Sequence, residues 1–204
     1  AGAQLREEHR KWYLGDSISA GIGQGYTTFT PIQLAHAIAA IANDGIAFEP
    51  HLVQRIEDAR TRESRPVERH PPIAIPAKPE HLAVIRNALV QVNKEGTSAG
   101  AFKDAPYTSG GKTGTAQVFS LKGEEYKAHK VDERLRDHAW YIAYAPADKP
   151  AIALAVLVEN GGFGAQAAAP IARQVFDYYL LGLKRKDPAP AFEGPMPDAE
   201  DVSD

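Results

Sequence analysis

Apolar residues recur along this chain with two periods. Between Pro31 and Ala42, the residues Leu34, Ile38, Ile41 and Ala42 return at helical spacing. Thr30 is an N-cap candidate, Pro31 takes the first helical position, Gln33 completes a capping box, and Phe29 and Leu34 can staple the turn. Asn43-Asp44-Gly45 ends the helix. A second amphipathic helix is predicted over 80–93, with Leu82, Ile85, Leu89 and Val92 buried and Gly96 as its stop. A third is predicted over 167–181, burying Ile171, Val175, Phe176 and Tyr179. Strands are predicted over 107–119, 140–144 and 152–159. Pro146, Asp148 and Pro150 make the last two a hairpin, closed by Asn160-Gly161-Gly162.

The polar stretches divide these elements. Residues 46–56 read as extended, with Pro50 inside. Residues 57–79 carry Pro66, Pro71, Pro72, Pro76 and Pro79, a surface excursion without its own core. Gly21, Gly23 and Gly25 alternate in a loop, but their spacing is not that of a dinucleotide site. Residues 122–138 are charged and read as solvated, with room for a short helix. Residues 1–12 read as a solvated helix or tail, and 183–204, rich in proline and acids, as a disordered tail beyond a folded 1–182. Helices first, then adjacent antiparallel strands, then a helix to pack on them, make an α+β fold with helices covering an antiparallel sheet.

Composition narrows the function. The 204 residues fit one domain, and the net charge of −3 comes with no basic stripe, so a nucleic-acid partner is not expected. There is no cysteine, which excludes disulfides and thiol catalysis. The longest apolar run, 151–158, is too short to span a membrane. Glu7-Glu8-His9 lacks the spacing of a helical metal site, and His36, alone on its helix, reads as structural. The chain begins abruptly in polar, charged residues, as expected of a fragment.

Candidate chemistry gathers in Gly110-Gly111-Lys112-Thr113-Gly114-Thr115-Ala116. A strand alternates its side chains, so Thr113 and Thr115 share a face. Gly114 between them lets another extended backbone lie close. Two hydroxyls and the Lys112 ammonium suit a peptide carboxylate, and a free backbone N–H can point at a reacting carbonyl. From the tripeptide alone, an ordinary buried strand remains an equal reading.

The segment Lys112-Thr-Gly-Thr-Ala-Gln-Val118, followed by a hairpin partner and a terminal helix, resembles the penicillin-recognising serine enzymes. Gly21-Ile-Gly-Gln-Gly-Tyr26 with Thr30-Pro31-Ile32-Gln33 resembles class B penicillin-binding proteins. Ala128-His129-Lys130 with Glu133-Arg-Leu-Arg-Asp-His138 is similar to their penicillin-binding protein 2 group, the transpeptidases of cell elongation. The resemblance spans roughly 12–182. It implies a transpeptidase that cross-links peptidoglycan through an acyl-serine, on stem peptides ending in D-Ala-D-Ala, with β-lactams as mimics. It further implies that Thr113 and Thr115 bind the carboxylate beside Gly114, that Lys112 assists proton movement, and that the Thr115 N–H is an oxyanion donor. No metal or organic cofactor is needed. A shape-determining glycan polymerase as partner and a periplasmic site on the inner membrane, through an anchor not in this chain, are also implied.

The family's nucleophile pattern is Ser-x-x-Lys. The one match, Ser109-Gly-Gly-Lys112, sits in extended chain where the lysine cannot return one helical turn after the serine. Neither Ser-x-Asn nor Tyr-x-Asn occurs. The expectation is the C-terminal part of a transpeptidase domain, with nucleophile and first strands of a five-stranded sheet upstream. Alone, such a piece is expected to be marginally stable, self-associated or rearranged near its start. Two rivals are a non-catalytic module that captures peptide C-termini and a docking fragment that uses 122–138 against the elongation machinery.

Overall fold

The computed structural model describes residues 11–24, 28–117 and 132–182. The chain divides into two units, 1–30 and 31–204. In the first, α1 (Leu14–Gly21) starts where Asp16 accepts the Tyr13 N–H at 2.8 Å, and its Leu14 and Ile18 are exposed. The expected glycine loop therefore begins later than its sequence suggests. Gly21 ends the helix, and Gly23 makes the turn at φ +78°, which glycine adopts without a side-chain clash.

The second unit opens with α2 (Pro31–Ala42), as its start and stop signals predict. The proline-rich excursion that follows is exposed but more ordered than its composition implies. β1 (Ile46–Ala47) pairs with β4 (Ile73–Ala74), and β2 (Arg55–Glu57) pairs with β3 (Ser64–Pro66), both antiparallel. Then come α3 (Pro79–Lys94) and a short helix, α4 (Ala99–Phe102). The main sheet is β5 (Gly110–Ala116), β6 (His138–Ala145) and β7 (Ile152–Val158), antiparallel in that order, and α5 (Gly164–Leu181) closes the unit. β5 begins later than predicted: before Gly110 the Thr108 carbonyl accepts from the Ala147 N–H, outside the ladder, and Ser109 is buried beside Asn93. The charged segment is expected to be solvated up to His138, yet Asp137 is buried and His138 already belongs to β6. Residues 118–131 and the predicted tail over 183–204 lie outside the described residues.

β6 explains the layering. Its Ala139, Tyr141, Ala143 and Ala145 have no exposed surface and pack against Ala168, Ala169, Ala172 and Phe176 of α5. The alternate residues Ile142 and Tyr144 face Ile38, Ile41 and Ala42 of α2 and Leu89 of α3. The sheet thus has helices on both sides, and its middle strand is buried on both faces.

Two predicted helix faces need correction. Ile171, Val175 and Tyr179 of α5 are exposed, and only Phe176 of the predicted set is buried. The helix turns its small residues inward because Gly164, Ala168 and Ala172 let its axis approach the sheet closely, so the bulkier side chains face outward. On α3, Leu82 and Leu89 are buried as expected, but Ile85 is 44% exposed and the line of burial continues to Asn93.

Asn93 is buried with both ends of its side-chain amide engaged. Its Oδ1 accepts from the Tyr141 hydroxyl and, at 2.7 Å, from Ser98 Oγ, while its Nδ2 donates to Ser109 Oγ at 2.8 Å. Burial pushes the Tyr141 phenol up to about 12, against the pull of its bonds to Ser98 and Asn93. The folded state therefore holds this proton more tightly than the unfolded chain, whose tyrosines titrate near ~10. Tyr141's contribution is complete below about pH 10 and is lost as pH rises from there towards 12. Urea midpoints should fall across that window, and less steeply for Tyr141→Phe; equal slopes for the two proteins would refute the assignment. At neutral pH the same substitution should cost about 1 kcal/mol.

Candidate functional site

The site is the outer strand of the main sheet. β5 pairs only with β6 within that sheet, with Lys112 opposite Ile142, Thr113 opposite Tyr141, Gly114 opposite Trp140 and Thr115 opposite Ala139. Thr113 and Thr115 therefore lie on the face that α5 covers. Lys112 is exposed; Thr113, Gly114 and Thr115 are half-buried. Lys112 Nζ donates to the Thr113 carbonyl at 3.0 Å and lies 3.4 Å from Thr113 Oγ1. Thr113 Oγ1 is also 3.1 Å from Thr97 Oγ1. One cation and three hydroxyls thus collect within hydrogen-bonding reach of one another or on the same strand face.

Glycines set the spacing beneath these groups. A methyl on Gly110 would fall 2.6 Å from Cε1 of Tyr144, and one on Gly111 would fall 2.6 Å from Cζ of Tyr141. Both rings cross β5 only because these side chains are missing. At the start of α5, a methyl on Gly164 would overlap the Trp140 carbonyl oxygen and come within 2.7 Å of that of Gly114. The first turn of α5 thus packs directly on the backbone of Gly114. The result is an open groove of about 660 Å³ between β5, the Thr97–Ala101 turn and α5, lined by Thr113, Thr115, Phe163, Gly164, Gln166 and Pro170 among others. The alternative of an ordinary strand buried in apolar surroundings does not describe this site.

The remaining sequence candidates fall elsewhere. Ser109 is buried, with Asn93 donating to its Oγ, which suits a structural hydroxyl rather than a nucleophile. His36 lines a separate cleft with Asn43, Pro150 and Ile152. Among the described residues, no three His, Asp or Glu side chains are placed to share a metal ion. Sequence reasoning missed Gln166, because it started the last helix at 167, and missed Thr97 and Pro170, which reach the groove only through tertiary folding. The signal available was Gly164, a further glycine just beyond the Asn160-Gly161-Gly162 turn.

An edge strand reading Lys-Thr-Gly-Thr, backed by a C-terminal helix and opening on a groove, defines a class, and the chain belongs to it: residues 3–177 match the penicillin-binding protein transpeptidase domain. Within that family it is 46% identical over 173 residues to the peptidoglycan D,D-transpeptidase MrdA of Haemophilus influenzae, covering 84% of this chain and 27% of that protein. The Pseudomonas aeruginosa PBP2 structure in complex with WCK 5153 superposes with a TM-score of 0.67 at 34% identity, over 93% of this chain and 38% of that one. A structure described as the coordination of polymerization and crosslinking by a peptidoglycan synthase complex gives 0.70 at 30% identity, over 88% and 28%. The chain thus spans about a quarter of the curated relative's length.

Proposed function

We propose that this chain supplies the substrate-gripping wall of a serine D,D-transpeptidase that cross-links peptidoglycan. The observation that carries the reading is the pair Thr113 and Thr115, side by side on an edge strand and facing an open groove, with the exposed Lys112 next to them. The two hydroxyls hold the terminal carboxylate of a stem peptide ending in D-Ala-D-Ala. Gly114 keeps the strand slim enough for the peptide backbone to lie along it. The Lys112 ammonium keeps the local field positive and assists proton movement.

The reaction is two acyl transfers. A serine outside these residues attacks the penultimate D-alanine carbonyl, and the oxyanion accepts a hydrogen bond from the Thr115 backbone N–H. The tetrahedral centre collapses, the scissile C–N bond breaks, and the leaving amine takes a proton and departs as D-alanine. An amine of a neighbouring stem peptide then attacks the ester, loses its proton and frees the serine. Removing one oxyanion donor costs about 3 kcal/mol in such sites. β-Lactams enter as mimics that acylate the same serine.

Peptidoglycan lies outside the cytoplasm, and the proposed location is the periplasmic face of the inner membrane. No described helix is long and apolar enough to cross a membrane. A shape-determining glycan polymerase is the proposed partner, a reading supported by likeness to a component of a peptidoglycan synthase complex. Mass spectrometry after incubation with a fluorescent penicillin tests the division of labour. The 204-residue chain should carry no adduct, and the chain extended upstream through the whole transpeptidase domain should carry one. Covalent labelling of the shorter chain would overturn the assignment of the nucleophile.

A further inference from the structure

A third hydroxyl stands on the lip of the groove, and the reaction above does not use it. Thr97 is exposed and lines the groove with Thr113, their two Oγ1 atoms 3.1 Å apart. Thr97 is more than a loose surface group. Its neighbour Ser98 is buried, and Ser98 Oγ donates to Asn93 Oδ1 at 2.7 Å. Tyr141, the ladder partner of Thr113, donates to that same oxygen. The backbone beside each threonine is thus tied to one buried network. The two hydroxyls are brought together by the fold and held there before any ligand arrives.

Hydrogen accounting gives the contact a direction. A hydroxyl has one hydrogen to donate and two lone pairs with which to accept. If Thr113 donates to Thr97, its hydrogen is spent inside the protein, and an arriving carboxylate meets only lone pairs. If Thr97 donates to Thr113, the Thr113 hydrogen stays available for the carboxylate. The Lys112 ammonium, 3.4 Å from Thr113 Oγ1, can only donate. It takes one lone pair, Thr97 takes the other, and the hydrogen is left for the ligand. We propose that Thr97 is a positioning residue: its hydroxyl donates to Thr113 Oγ1 and so commits the Thr113 hydrogen to the ligand's terminal carboxylate. The inference rests on the carboxylate subsite proposed for Thr113 and Thr115. Thr97 touches no reacting atom and acts through Thr113 alone.

The test uses the protein with its complete transpeptidase domain and two probes, benzylpenicillin and its methyl ester, which lacks the charged carboxylate. Mass spectrometry follows acylation. Thr97→Val keeps the side chain's shape and removes the donor; it should slow acylation by benzylpenicillin about tenfold while leaving the ester's rate within about twofold. Thr97→Ser keeps the hydroxyl and should restore most of the lost rate. In a Thr113→Val background, Thr97→Val should cost no more than about twofold further, because the group it serves is already gone. Equal losses with both probes, a serine variant as slow as the valine one, or additive losses in the double variant would mean a merely structural or separate role. No loss with either probe would mean no role. Any of these results overturns the proposal. Thr113→Val and Thr115→Val, tested singly, separate it from the reading beneath it. If both are acylated by benzylpenicillin as fast as wild type, the carboxylate subsite itself is wrong; if they are slowed and Thr97→Val is not, only the role of Thr97 falls.

Discussion

Lys112→Ala, introduced into the complete transpeptidase domain, is expected to slow acylation by penicillin by about a hundredfold or more, the scale of losing a group that stabilises charge in the transition state. Lys112 is exposed and meets neither hydrophobic cluster of the second unit, so removing its side chain leaves the packing intact. What disappears is the one cation bonded to the Thr113 carbonyl and lying near its hydroxyl. A carboxylate on Thr113 and Thr115 would then sit without a compensating charge, and the proton leaving the serine would lose its positive neighbour. Lys112→Arg keeps the charge but replaces a compact ammonium with a planar fork, and should recover only part of the rate. Stopped-flow acylation with a fluorescent penicillin reads both variants. A rate equal to wild type in the alanine variant would remove the role given to Lys112.

Gly164→Ala should be the most damaging single methyl in the second unit. The added carbon meets the Trp140 carbonyl oxygen and both the carbonyl oxygen and the nitrogen of Gly114. These are backbone atoms of two paired strands, so no side chain can rotate out of the way. Either α5 lifts from the sheet or the ladder bends, and the cost should reach about 3 kcal/mol. Lifting α5 would also widen the groove at Gln166, so carboxylate binding should weaken along with stability. Gly100→Ala is the matching control. It lies in α4 on the same groove with nothing within 4 Å of the added methyl, and should be neutral or slightly stabilising through helix propensity. Urea denaturation of both variants decides the matter; a Gly164→Ala protein as stable as Gly100→Ala would refute the close approach.

Much of this arrangement was legible before any coordinates. α2 was readable because its cap, its proline and its terminal glycine agree with its apolar period. The hairpin of β6 and β7 was readable from two apolar runs around a proline-containing turn. That Thr113 and Thr115 share a face was readable because strand alternation alone sets it. The inward face of α5 was not. Hydrophobicity ranks Ile171 and Val175 above Ala168 and Ala172, but the distance between helix and sheet decides which of them fits, and that distance depends on partners remote in sequence. Asn93 escaped for a related reason. A polar residue reads as exposed until Ser98, Ser109 and Tyr141 are brought around it by tertiary folding. The ladders between β1 and β4 and between β2 and β3 are too short and too polar to stand out by periodicity.

The absence of spare room around β6 has a consequence for substitution. A strand walled by Ala139, Ala143 and Ala145 on one side and by Ile142 and Tyr144 on the other behaves as a fixed rail, and any enlargement there is felt along its whole length. Substitutions underneath the Lys-Thr-Gly segment are therefore expected to be costly. The fold's tolerance should be greater at the lip of the groove, lined by Thr97, Phe163 and Gln166.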